Sequence, residues 1–173
     1  KLDNKLQRGT HATKRSNFTK KVKIGEKETR EFLRKQYKGH CQICGFTFSK
    51  KDKDNYFEEL DFFSERISGQ KVHFKDAAAS VCLCANCHAV TKHGDFEVTG
   101  LTTMREFGDK DFSAFKGAFQ EAGTGDVPTE FAGIEFDLLK IPIRHKGEKR
   151  HIFYTEEHLL LVYGFMTYAK DEE

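Results

Sequence analysis

Five cysteines, Cys41, Cys44, Cys82, Cys84 and Cys87, fall in two groups along a chain of 173 residues. Cys41-Gln-Ile-Cys44-Gly45 and Cys84-Ala-Asn-Cys87 share the Cys-x-x-Cys spacing. That spacing lets two thiolates reach one ion across a tight turn, and Gly45 relieves the backbone just after the second ligand. Two such pairs and an odd cysteine count favour metal over disulfides, and with it a reducing, cytoplasmic compartment. The four thiolates form a closed tetrahedral set suited to a structural Zn²⁺, with no position left open for a substrate. A structural zinc contributes about 10–16 kcal/mol of apparent free energy, comparable to the stability of a whole domain. Loss of any one ligand should therefore unfold the central segment. Cys82 lacks the two-residue spacing to Cys87 and is assigned to the core as a small apolar side chain, although an extended Val81–Cys84 would place it on the same face as Cys84. Because four thiolates saturate zinc, any reaction needs a second, open site. His88 and His93 are candidates for one, against the blander reading of either as a capping or core histidine.

The elements that must position these residues are predicted from periodicity and punctuation. Residues 26–38 read as a helix with Phe32, Leu33 and Tyr37 inward, stopped by Gly39. A polar loop, "SKKDKDN", precedes a strand over 56–63, and "RISGQKVHF" contains a glycine turn. "AAASVCLC" is a short approach to the second knuckle, with a helix beginning around Asn86–His88. Further on, Phe112, Phe115 and Phe119 stand at helical spacing between acidic residues and Gly123, a pattern of core packing. A hairpin follows, with alternation at Ile134, Phe136 and Leu138, in which Pro142 is expected to force an edge or a bend. Thr155 should cap a final helix whose Glu156 and Glu157 suit the helix dipole.

In "YKGHCQICGFTF", "YFEE" and "LCANCHAVTKHG" the sequence resembles the zinc-knuckle class of HNH endonucleases, over about residues 30–95. The resemblance implies a small zinc-stabilised treble-clef (ββα-metal) unit; with the flanking N-terminal helix and the C-terminal helix, β-hairpin and helix read above, the expected fold class is α+β. Together with the charge and the element pattern, this divides the chain into a basic arm (1–25), an HNH-like zinc domain (26–95) and an α+β extension (96–173). The resemblance also implies a separate catalytic divalent ion between hairpin and helix, a histidine general base and an orienting asparagine. Asp61 stands where the base histidine is expected and Ala79 where the asparagine is expected. His88 keeps a family position, with His93 close by. A carboxylate near its ordinary pKa is a poor base at neutral pH, and His73 lies only eleven residues before Cys84, too close for the usual loop. The expectation is a retained scaffold with a degenerate active centre. An active nuclease built from Asp61, His88 and His93 or His73 with Mg²⁺ or Mn²⁺ is the alternative, and a purely structural protein-interaction domain is a third reading.

Charge separates the chain. Residues 1–38 hold 13 Lys/Arg against 4 Asp/Glu, net +9, and residues 39–173 hold 16 against 23, net −7. Lys14, Arg15, Lys20, Lys21 and Lys23 are thus candidate phosphate contacts for a nucleic acid, DNA ahead of RNA. A solvated tail is the other reading of positions 1–24. The acidic C-terminal part could dock onto other protein subunits. No apolar run has the length of a membrane span. The sequence begins without Met, consistent with a processed chain or a piece of a longer one.

Overall fold

The computed structural model describes residues 27–63, 77–120, 131 and 137–170. Lys14, Arg15, Lys20, Lys21, Lys23, the segment around His73, Gly123, Ile134 and Phe136 lie outside them.

Helix α1 spans residues 27–37. Thr29, Leu33, Gln36 and Tyr37 are buried, the i, i+4, i+7, i+8 stripe of a helix packed on one face, and Phe32 packs half-buried beside them. The chain leaves α1 through two left-handed residues, Lys38 (φ 50°) and Gly39 (φ 81°). A Cβ on Gly39 would stand 2.5 Å from the Asn55 Cβ, so the glycine is required by space as well as by φ.

After the first knuckle, β1 (Glu58–Asp61) pairs antiparallel with β2 (Ser80–Leu83), with Asp61 opposite Ser80 and Glu58 opposite Leu83. Helix α2 (Ala85–His93) follows directly, one residue before the predicted start. The strand predicted over 56–63 is thus shorter. Phe62 and Phe63, at its end, turn into the core as an edge-to-face pair with centroids 4.8 Å apart.

The second sheet has the order β3 (Phe96–Glu97), β4 (Leu138–His145), β5 (Glu148–Thr155). Between β3 and β4 lie α3 (Leu101–Phe107) and α4 (Phe112–Gln120). The phenylalanine spacing is confirmed in α4: Phe115 and Phe119 are buried, and the Asp111 carboxylate accepts from the Ala114 amide at 2.9 Å. Pro142 does not make an edge. It sits in the central strand, paired with His151, because its carbonyl points away from β5 and accepts from Gly100 N at 2.9 Å. The missing N–H points the same way, so the β4–β5 ladder loses nothing. The chain closes with α5 (Glu156–Lys170), capped as expected: Thr155 Oγ1 accepts from His158 N at 3.3 Å.

Two groups of buried side chains hold these elements. The larger one unites Cys41, Ile43, Leu83, Cys84 and Cys87 with Met104, Phe115, Ile141, Ile152, Leu159 and Met166, so the cysteine region and the second sheet share one core. The smaller consists of Leu33, Tyr37, Phe57 and Cys82. No helix among the described residues is long and apolar enough to cross a membrane.

Candidate metal centre

The first knuckle is a hydrogen-bonded turn. Gly45 N donates to Cys41 O (2.8 Å), Cys41 N donates to Phe46 O (3.0 Å), and Gly45 takes φ 71°. His40 clamps the same turn. Its Nδ1 lies 2.9 Å from Gly45 O, and since a carbonyl can only accept, Nδ1 carries the proton. In the second knuckle, Cys84 is the N-cap of α2: its Sγ accepts from Cys87 N at 3.4 Å, and His88 N bonds to Cys84 O at 2.9 Å. The helix therefore presents Cys84 and Cys87 on its first turn, with the positive end of its dipole toward the sulfurs.

These turns bring the Sγ atoms of Cys41, Cys44, Cys84 and Cys87 within 4.8 Å of one another. Cys44 Sγ and Cys84 Sγ are 3.8 Å apart. Four sulfurs about 2.3 Å from a tetrahedral zinc lie about 3.8 Å from each other, so the set fits such an ion in spacing as well as in chemistry. Cys44 is half-buried and the other three are buried. Among the described residues these four form the one group of three or more ligating side chains gathered closely enough to share a metal ion.

Without a metal the four sulfurs must share protons. The hydrogen bond to Cys44 pushes the Cys41 thiol well up. The bond with Cys41 pulls Cys44 down to about 7. Cys84 is held far below the usual thiol range by its hydrogen bonds with Cys41, Cys44 and Cys87. Cys87 is lowered by Cys41 but raised more by Cys44, Cys84 and burial, with an upward balance. A divalent ion replaces those protons with a charge that all four thiolates can face, so binding releases protons.

Cys82 is elsewhere, fully buried against Leu33, Tyr37 and Phe57, with its thiol pushed up by burial. Its assignment to the core holds. Gln42, inside the first knuckle, carries a role that the sequence did not single out. Its backbone N donates to Cys82 O (2.9 Å) and its Oε1 accepts from Cys82 N (2.8 Å). Its Nε2 donates to Phe153 O (2.9 Å) and its O accepts from Phe153 N (2.8 Å). One fully buried side chain thus joins the knuckle to β2 and to β5.

The remaining candidates are spread over the hairpin and α2. Asp61 ends β1 half-buried, His88 is half-buried on the first turn of α2, and His93 is exposed at its end. Among the described residues they do not gather into a second group of three ligating side chains. Ala79 is fully buried, and its carbonyl accepts from Phe62 N (2.7 Å) and Phe63 N (3.2 Å). Compared with known proteins, the chain matches no family model, no curated protein and no solved structure.

Proposed function

We propose that the four cysteines hold a structural zinc and that the chain is an HNH-like, treble-clef module, catalytically degenerate, which binds nucleic acid within a larger nucleic-acid-processing or defence assembly. One observation supports this reading above the others: the order knuckle, β-hairpin, helix, with two thiols from the knuckle and two from the first helical turn converging on one point. The treble-clef reading asks for that order. A closed set of thiolates supplies folding energy and no open coordination site. Where the family places its base and its supporting amide, this chain offers a carboxylate, Asp61, and a methyl group, Ala79. Phosphate contacts are assigned to the basic arm, through Lys14, Arg15, Lys20, Lys21 and Lys23.

Elemental analysis of the purified protein should find one zinc per chain and no second tightly held divalent ion. Nicking assays with Mg²⁺ or Mn²⁺ should give no cleavage. Cleavage that disappears in His88→Ala would replace this reading by the active nuclease. Binding to DNA should weaken about 10-fold or more between 50 and 200 mM salt, because each neutralised phosphate releases counterions. An affinity independent of salt would remove the arm as a phosphate contact.

A further inference from the structure

Phe46 and Phe48 are the most exposed aromatic side chains among the described residues, at 52% and 47%. They are not stray. Phe48 stacks nearly parallel on Tyr56, with centroids 5.1 Å apart and planes at 20°, and Phe46 lies 6.1 Å beyond Phe48. Three rings thus form a row on the surface. Its backbone is fixed: Phe46 O accepts from Cys41 N in the knuckle, Tyr56 N donates to Phe48 O at 2.9 Å, and Ser49 bridges to Asn55.

Cations lie on the segments beside these rings, Lys27 among them paired with Glu31. The loop beyond it carries Lys50, Lys51 and Lys53. Lys50 is paired with Asp52, while Lys51 and Lys53 are exposed and take no acidic partner among the described residues. On α1, Lys27, Arg30 and Arg34 recur at i, i+3 and i+7, one stripe along the helix, and Lys38 follows just past its end. The stripe meets the segment just before Tyr56: Arg34 pairs with Asp54, and Asn55 Nδ2 donates to Lys38 O at 2.7 Å. Arg30 lies over the Phe57 ring at 4.2 Å, holding the stripe against the same segment.

A private core would bury these rings, and a solvated loop would not line them up. Two exposed phenylalanine rings, backed by the half-buried Tyr56 and flanked by lysines and arginines, offer what unpaired bases and their phosphates require. Each base offers a face for stacking, and the backbone needs cations alongside. We infer that Phe46, Phe48 and Tyr56, with the Lys27–Arg34 stripe, Lys38, Lys51 and Lys53, form a contact surface for single-stranded nucleic acid. This rests on the nucleic-acid reading above and adds to it a strand state and a folded surface, separate from the basic arm.

The test is fluorescence anisotropy of a labelled thymidine oligomer of about 12 nucleotides, and of the corresponding duplex, with the full chain loaded with zinc. Wild type should prefer the single strand. Phe46→Ala/Phe48→Ala should weaken single-strand binding by about 10- to 100-fold with unchanged zinc content and far-ultraviolet circular dichroism, whereas Phe46→Tyr/Phe48→Tyr should stay within a few-fold of wild type. If wild type binds the strand and the alanine pair binds it equally well, the surface assignment is wrong while the module reading stands. If wild type binds neither strand nor duplex at low salt, both fail. A change in self-association by the alanine pair, without a change in strand affinity, would make the row a protein contact and overturn the inference.

Discussion

At the scale of single residues, the side chain with the most constrained chemistry outside the cysteines is His158, fully buried at the start of α5. Its Nε2 lies 2.7 Å from Ala77 O and must donate to it, which leaves Nδ1 as the acceptor of the Tyr37 hydroxyl at 2.6 Å. Tyr37 Oη in turn accepts from Thr155 N at 3.3 Å. A second proton on the imidazole would turn Nδ1 from acceptor to donor against that hydroxyl, inside the core. Burial accordingly lowers the His158 pKa to about 4. The unfolded chain, with histidine at its ordinary 6.5, binds more protons than the folded chain between those two values. The stability this provides is complete above 6.5 and is lost as pH falls through about 4. We predict that urea denaturation with zinc present will show stability falling by about 2–4 kcal/mol across that window. The His158 ring should remain neutral at pH 5 in its proton and nitrogen spectra, and a His158 resonance titrating near 6.5 would contradict the network. Burial lowers His145 and His151 as well, so their titrations act in the same direction.

Among the elements, the knuckle does two things at once: it presents sulfurs, and through Gln42 it fastens β2 to β5. Replacing Gln42 by Ala would strand Cys82 N and Phe153 O without their side-chain partners inside the core. We expect a loss of about 2–5 kcal/mol at constant zinc stoichiometry, measured by denaturation of the loaded protein. Sequence periodicity located most of what positions the cysteines. The Cys-x-x-Cys spacings, the inward face of α1, the Phe115 and Phe119 face of α4 and the Thr155 cap all express rules that act within a few residues. What it missed depends on distant partners or on very short segments. Strand β3 has two residues, too few for any alternation to register. Helix α3, seven residues entered from Gly100 as its N-cap, has no side-chain cap to announce it. The fit of Pro142 in a central strand depends on which neighbour its carbonyl faces, and Gln42 matters because of a strand 111 residues away. Asp61, His88 and His93 could be named from their types, but whether they share an ion is a matter of tertiary placement.

For the molecule as a whole, the four sulfurs sit within or against the larger core, not on an appendage, so an ion held there would support both sheets. Removing it with a strong chelator should cost about 10 kcal/mol or more and abolish cooperative thermal unfolding, with recovery on adding zinc and with protons released as the ion binds. Cys87→Ser should behave like the chelated protein. Cys82→Ala should keep one zinc per chain and cost only about 1–2 kcal/mol. The same architecture has a temporal side. Gln36 and Tyr37 meet Glu157 and His158 across 121 positions of chain. A ribosome therefore delivers both cysteine pairs well before it delivers the residues that lock the first helix. The nascent chain must keep its thiols reduced over that interval, and capture of an ion by the two knuckles would hold the half-built core in register until the first helix is locked.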